Sequence, residues 1–250
     1  MTKITAIIPT LNEEIHIEEA IKSVGFADEI IVIDSYSKDK TIEIAEKLHV
    51  KIIKRKFDDF SSQKNFAISQ AKHSWIYILD ADERVTENLE KEILKNVKNP
   101  KDFVGFSFSR DFYFMNKQIK FGGYSNNKVI RLFNKNYCKY NGSLVHEKII
   151  ADGKIGVIEE PIKHYSYKSF SHHLTKVQNY KELQAKELFA KGKKSSLFKI
   201  IVKPKTRFLT HYVFKLGFLD GFRGFVIAAI QAYGIFIKFV SLRLLQKKIK

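Results

Sequence analysis

The chain has 250 residues, 44% of them apolar and 28% charged, with a single cysteine and a formal net charge of +17. That length buries a full core, the composition excludes a disordered or collagen-like chain, and a lone Cys138 excludes an internal disulfide framework or a cysteine metal cage. From Lys163 onward, 19 Lys and Arg face only Glu182, Glu187 and Asp220, a net +16, so a near-neutral front is joined to a strongly basic tail.

Residues 4–9, ITAIIP, form a compact β-branched run closed by Pro9 and read as a first strand, not as an export signal. Residues 12–24 carry Ile15, Ile17, Ala20, Ile21 and Val24 at helical spacing, with acids crowded into the first turn, where the helix dipole favours them. EIIVID (29–34) is a strand of the buried parallel type. Residues 37–50 open with the cap-type Ser37 and Asp39 and read as a helix. A third strand (50–54), a third helix (60–71) and the strand WIYILD (75–80) follow. Strand and helix alternating in units of this length predict a mostly parallel sheet covered on both faces, an α/β fold. Beyond Phe103, short strand-like pieces separated by Gly and Asn turns predict an antiparallel extension. After Phe170 the pattern is helical over 170–192, about 195–217, and on to about 246. The composition shift near 165–170 divides the chain into residues 1–165 and a basic helical region, 166–250.

In sheets of this kind ligands collect at the carboxyl ends of the strands. Pro9, Thr10, Asn12 and Glu13, then Asp34 and Ser35, then Asp80 and Asp82, all fall just past predicted strand ends. Asp80 and Asp82 stand two residues apart where an all-apolar strand runs out, with Glu83 beside them. Carboxylates so close repel unless a cation lies between them. The expectation is a hard divalent ion, Mg²⁺ or Mn²⁺, with a diphosphate supplying further oxygens. Arg131, in the apolar run KVIRLF, needs an anionic partner, either a protein carboxylate or a ligand phosphate. Lys64 is a solvated helix lysine or a neighbour of the phosphates. His146 and Glu147 can each accept a proton near neutral pH after modest tuning. The absence of a glycine-rich dinucleotide or P-loop pattern in this half argues against those modes.

AIIPTLNEE, IIVIDSYSKDKT, FSSQKNFAI, YILDADERV, VIRLF and LVHE stand in the order and spacing of the family 2 glycosyltransferases. The chain resembles the subgroup of bacterial β-1,4-glucosyltransferases that act on the lipopolysaccharide core. HYSYKSF and LGFLDGFRGFVIAAIQAYGIFIK extend the resemblance over most of its length. It implies a GT-A fold, with Pro9, Thr10, Asn12 and Glu13 holding the nucleoside of a nucleotide-sugar, a UDP-hexose, and Asp34 near its base or ribose. Ser35 stands where many members carry a second acid. Asp80 and Asp82 are implied as the metal and diphosphate pair, and Glu147, with His146 beside it, as the catalytic base on the acceptor side.

The tail mixes lysines with Phe, Tyr, Leu and Ile. Its longest uncharged run, Gly224–Ile237, has 14 residues against the roughly 20 needed to cross a bilayer. An interfacial helix on the anionic inner face of a cell membrane is expected, with a glycan or glycolipid acceptor in that membrane. A packing helix, or a homo-oligomer formed through these helices, is the alternative. No nucleic acid partner is expected, because no recognisable binding module accompanies the charge. Two rival functions remain at this level: a basic binding protein without catalysis, and a sugar-phosphate nucleotidyltransferase.

Overall fold

The structure, a computed structural model, describes residues 2–115, 117–123, 128–142, 148–165 and 170–249. In chain order the elements are β1 (Ile4–Thr10), α1 (Ile17–Ser23), β2 (Glu29–Asp34), α2 (Thr41–Lys47), β3 (Lys51–Lys54), α3 (Phe60–Ser69), β4 (Trp75–Ile78), β5 (Glu83–Arg84) and α4 (Glu87–Lys98). They continue with β6 (Phe103–Phe114), β7 (Lys117–Ile119), β8 (Val129–Asn134), β9 (Cys138–Tyr140), β10 (Ile149–Ala151), β11 (Lys154–His164), α5 (Phe170–Ala190), α6 (Leu197–Leu209) and α7 (Gly221–Lys247). The chain divides into two compact units, residues 1–111 with 126–165, and residues 112–125 with 166–250.

The first unit is built on one sheet in the order β3-β2-β1-β4-β8-β6-β11-β5. β1 pairs in parallel with both β2 and β4, and β2 with β3. β8 then pairs antiparallel with β4 and with β6, so the antiparallel extension continues the same sheet. Alternation along the strands feeds two cores. Ile4, Ala6 and Ile8 join Val32 and Tyr77 beneath α1, α2 and α4. Ile7, Ile31, Ile33, Ile76 and Ile78 join Ala67 and Ile68 of α3 on the other side. Each such fully buried isoleucine contributes about 1.5–3 kcal/mol of transfer free energy, and their uniform burial explains why these strands read as continuous apolar runs.

The order 3-2-1-4 makes the gap between β1 and β4 a topological switch, with crossovers leaving to opposite faces. The two strands pair only to Ile7 and Ile78, with one more bond from Leu79 N to Ile7 O. Pro9, which has no N–H to offer a neighbour, stands where the sheet opens.

Two helices begin later than their periodicity suggests. Asn12 has φ 55°, in the left-handed region, so no helix can run through it, and α1 starts at Ile17. The backbone N–H groups of Asn12, Glu13 and Glu14 donate instead to Ser37 Oγ (2.8 Å), Thr41 Oγ1 (2.7 Å) and Asp39 Oδ2 (3.1 Å). Those side chains are thereby spent on the neighbouring loop, and α2 opens only at Thr41. Helix α4 has the sequence pattern of a helix start, Thr86 accepting from Leu89 N at 3.2 Å.

In the second unit, α5, α6 and α7 pack together, a turn of π-helix (Thr210–Phe214) and a short 3₁₀ turn (Gly217–Asp220) linking α6 to α7. Phe112, Phe114 and Ile119 of the β6–β7 hairpin bury against Ile227 and Ile230 of α7. Asp220 fixes the hairpin end by accepting from Lys120 N (3.2 Å) and Phe121 N (2.9 Å). By length and composition the stretch Gly217–Lys247, which contains an 18-residue window of mean hydropathy 1.9, could cross a membrane. The helix is thus longer than its uncharged run suggested, because isolated charges such as Arg223 and Lys238 do not interrupt it.

Candidate active site

Register places Thr10 opposite Asp34, so the ends of β1 and β2 form one shelf. Asp34 is fully buried, and its two carboxylate oxygens accept from Ser37 N (2.9 Å) and from the Ser37 hydroxyl. Ser37 Oγ in turn accepts from Asn12 N, while Lys38 N donates to Asn12 Oδ1 at 2.8 Å. Ser35 N donates to Thr10 O (3.0 Å), and Ser35 Oγ accepts from Gln63 Nε2 of α3 at 2.6 Å. Asp34 and Ser35 therefore shape the shelf from within. Tyr36, with φ 64° and an exposed ring, stands on its outside.

At the end of β4, Asp80 and Glu83 converge on one buried guanidinium. Arg131 donates to Asp80 Oδ2 and, at 2.6 Å, to Glu83 Oε1. Lys64 Nζ lies 3.8 Å from Asp80 Oδ1, its own side chain buried beneath the Tyr140 ring. Asp80 and Glu83 thus share the Arg131 guanidinium, and the partner that Arg131 required is a pair of protein carboxylates. Burial opposes ionisation of Asp80, but Arg131 and Lys64 overcome it and hold the carboxyl well below its usual range. Burial raises the Glu83 carboxyl despite Arg131, and the Asp80 charge raises it further.

Arg131 reaches this position through a β-bulge. Phe106 pairs with Leu132 and Ser107 with Ile130, so the register steps over Arg131. Ile130 consequently joins the α3 side of the sheet together with Phe133, while Leu132 joins the other core. Re-aiming one side chain in this way is a recurrent use of bulges.

Asp82 faces elsewhere. β11 pairs with β5 in the register His164↔Glu83, which brings His164 Nε2 to 3.4 Å from Asp82 Oδ2, each side chain 19% exposed. Tyr165 N donates to Asp82 O at 2.8 Å and closes this corner. His164 was not among the residues singled out from sequence. Only the strand pairing, across a separation of more than eighty residues, reveals it. A carboxylate oxygen and an imidazole nitrogen form a donor pair that Mn²⁺ accepts more readily than the oxygen-preferring Mg²⁺, with water and diphosphate oxygens completing the shell. No cluster of three such side chains occurs among the described residues. His146 and Glu147 lie outside the described residues.

Residues 5–151 match Glycosyl transferase family 2. Over 97% of its length the chain is 34% identical to a glycosyltransferase of Rickettsia felis, 90% of which is covered. The protein belongs to glycosyl transferase family 2. It is a glycosyltransferase with the GT-A fold, which removes the readings as a non-catalytic binding protein or a nucleotidyltransferase. Its relatives include the lipopolysaccharide core biosynthesis glycosyltransferase LpsC of Rhizobium meliloti, 25% identical over 94% of this chain and 89% of LpsC. Among solved structures, S. aureus TarS 1-349 aligns with 99% of this chain and 92% of its own at 15% identity, with a TM-score of 0.47.

Proposed function

We propose that this glycosyltransferase transfers a hexose from a UDP-sugar to a lipid-linked or lipopolysaccharide-core glycan, with inversion at the anomeric carbon. The observation that carries the reading is the Asp82–His164 pair at the strand-end edge of a sheet with a switch point between β1 and β4.

In this reading the laced shelf of Thr10, Asn12, Glu13, Asp34 and Ser35 receives the nucleoside, and the exposed Tyr36 ring offers the base an apolar face. Asp80, kept ionised by Arg131 and Lys64, presents fixed acceptor oxygens to the donor. Asp82 and His164 would hold Mg²⁺ or Mn²⁺, whose contribution when bound is to neutralise the departing diphosphate. Glu147 takes the proton from the acceptor hydroxyl as that oxygen attacks the face opposite the leaving group, and His146 stands beside it in sequence. Fixed groups of this kind each account for about two to four powers of ten in rate.

The second unit is proposed to rest on the anionic inner face of a cell membrane as a peripheral element. Phe198, Phe214 and Phe222 are 67%, 79% and 70% exposed within the most basic part of the chain, a combination that suits the headgroup boundary.

The test is a calorimetric titration of UDP into the protein with and without Mn²⁺, repeated with Asp82→Asn and His164→Gln. Binding that requires Mn²⁺ and weakens in both variants is expected. Tight UDP binding that ignores both the ion and the substitutions would remove the metal pair from the mechanism, and no binding of UDP, GDP or dTDP would remove the donor site.

A further inference from the structure

A cleft of about 500 Å³ opens beside Asp80, walled by Lys64, Asp80, Arg110, Lys128, Arg131 and Lys148, with Tyr140 in the same wall. Two of these cations are consumed internally, since Arg131 and Lys64 answer Asp80 and Glu83. Three are not. Arg110 lies 3.7 Å from a Glu83 oxygen that Arg131 already holds at 2.6 Å. Among the described residues Lys128 has only an exposed contact with Glu159 at 3.6 Å, and Lys148 makes no ion pair. Like charges gathered around a concavity repel one another, and they focus a field that concentrates anions there.

The donor does not account for this surplus. The diphosphate of a nucleotide-sugar carries two negative charges, which a divalent ion at Asp82 and His164 would offset; neither of those residues lines the cleft, which meets the donor side at Asp80. Of the surplus cations, Arg110 belongs to β6, while Lys128 and Lys148 immediately precede β8 and β10, so none of the three comes from the ends of β1 and β2 that form the nucleoside shelf. We propose that the acceptor is itself anionic, and that Arg110, Lys128 and Lys148 bind a phosphate or carboxylate group on it. The inference rests on the donor-site reading above and adds the charge class of the second substrate.

The experiment is an NMR titration of glucose 1-phosphate, glucuronate and methyl glucoside into the protein saturated with UDP and Mn²⁺. It is repeated on the Lys128→Gln/Lys148→Gln double variant, in which both replaced side chains are exposed and the fold can be checked by circular dichroism. At least one of the anionic sugars should bind about ten-fold or more tightly than methyl glucoside, as charge-assisted hydrogen bonds imply. The double variant should erase that preference while leaving UDP affinity within about two-fold. Preference for the phosphate over the carboxylate, or the reverse, identifies which group the cleft takes. Equal binding of all three sugars overturns the proposal. So does a loss of UDP affinity in the double variant, which would return these lysines to the donor diphosphate. Failure of the wild-type protein to bind UDP is seen before any sugar is added; it overturns the donor-site reading and this inference with it.

Discussion

At the scale of single residues, Arg131 decides more than any other side chain in the first unit. It is buried with Asp80 and Glu83 around it, and removing it leaves two carboxylates in a low-dielectric site answered only by the longer contacts of Lys64 (3.8 Å) and Arg110 (3.7 Å). Arg131→Met is expected to cost about 3–5 kcal/mol of stability, the range for breaking a buried ion cluster from one side, read as a shift in the urea midpoint. Asp82→Asn, by contrast, should leave that midpoint nearly unchanged while abolishing Mn²⁺-dependent UDP binding, because Arg131 bonds Asp80 and Glu83 rather than Asp82. The sequence reading recognised that Arg131 needed an anion and that Asp80 and Asp82 needed a cation, but it could not pair them. The link is a bulge that steps the β8 register over one residue, and nothing in KVIRLF marks where a register slips. His164 was invisible for a related reason, since its neighbour Asp82 is supplied by an antiparallel pairing that local pattern does not encode.

At the scale of elements, the strands were legible because burial on both faces demands unbroken apolar runs, and ITAIIP, EIIVID and WIYI supply them. The starts of α1 and α2 were not. Asn12 and Ser37 look like caps for their own helices, yet the loop–loop hydrogen bonds use them across the shelf. The helices of the second unit followed their pattern closely, and their packing offers sharper tests. A Cβ added at Gly224 would stand 1.8 Å from Gly217 O, a backbone atom that cannot rotate away. Gly224→Ala should therefore destabilise by about 1–3 kcal/mol or more, visible as faster amide exchange in α7. Gly234→Ala meets only side-chain atoms, Val177 Cγ1 at 2.9 Å and Lys181 at 3.3 Å, and should cost less. The π-turn adds a pH dependence. Burial, reinforced by Arg207 and Lys215, holds His211 down to about 4 from an ordinary 6.5. Between those values the unfolded chain binds a proton that the folded one refuses, so stability is complete above about pH 6.5 and falls towards pH 4. The loss is on the order of 3 kcal/mol. Thermal melts across that range should show it, and His211→Phe should flatten the profile.

At the scale of the whole molecule, charge distinguishes the two units. The front, with a net charge near zero, carries the site, and the +16 from Lys163 onward belongs almost wholly to the helical unit. If that unit lies on a membrane, the protein should float with vesicles containing phosphatidylglycerol and remain behind with phosphatidylcholine. Each well-placed cation adds about 1 kcal/mol that salt weakens. Phe214→Ser with Phe222→Ser should abolish flotation while UDP binding persists, and equal recovery with neutral vesicles would argue against an electrostatic contribution.

Trp75, the one tryptophan of the chain, is buried in β4 with its ring stacked on Phe106 at 6.0 Å. It begins the strand whose far end leads to Asp80, so its emission reports the packing of the sheet and is poorly placed to sense a ligand. Selectively excited tryptophan emission will consequently follow only the first unit, whereas far-ultraviolet ellipticity at 222 nm is weighted towards the long helices α5 and α7. Two optical signals that part company on heating would mean that the halves melt separately, and a single apparent melting temperature would then describe neither of them.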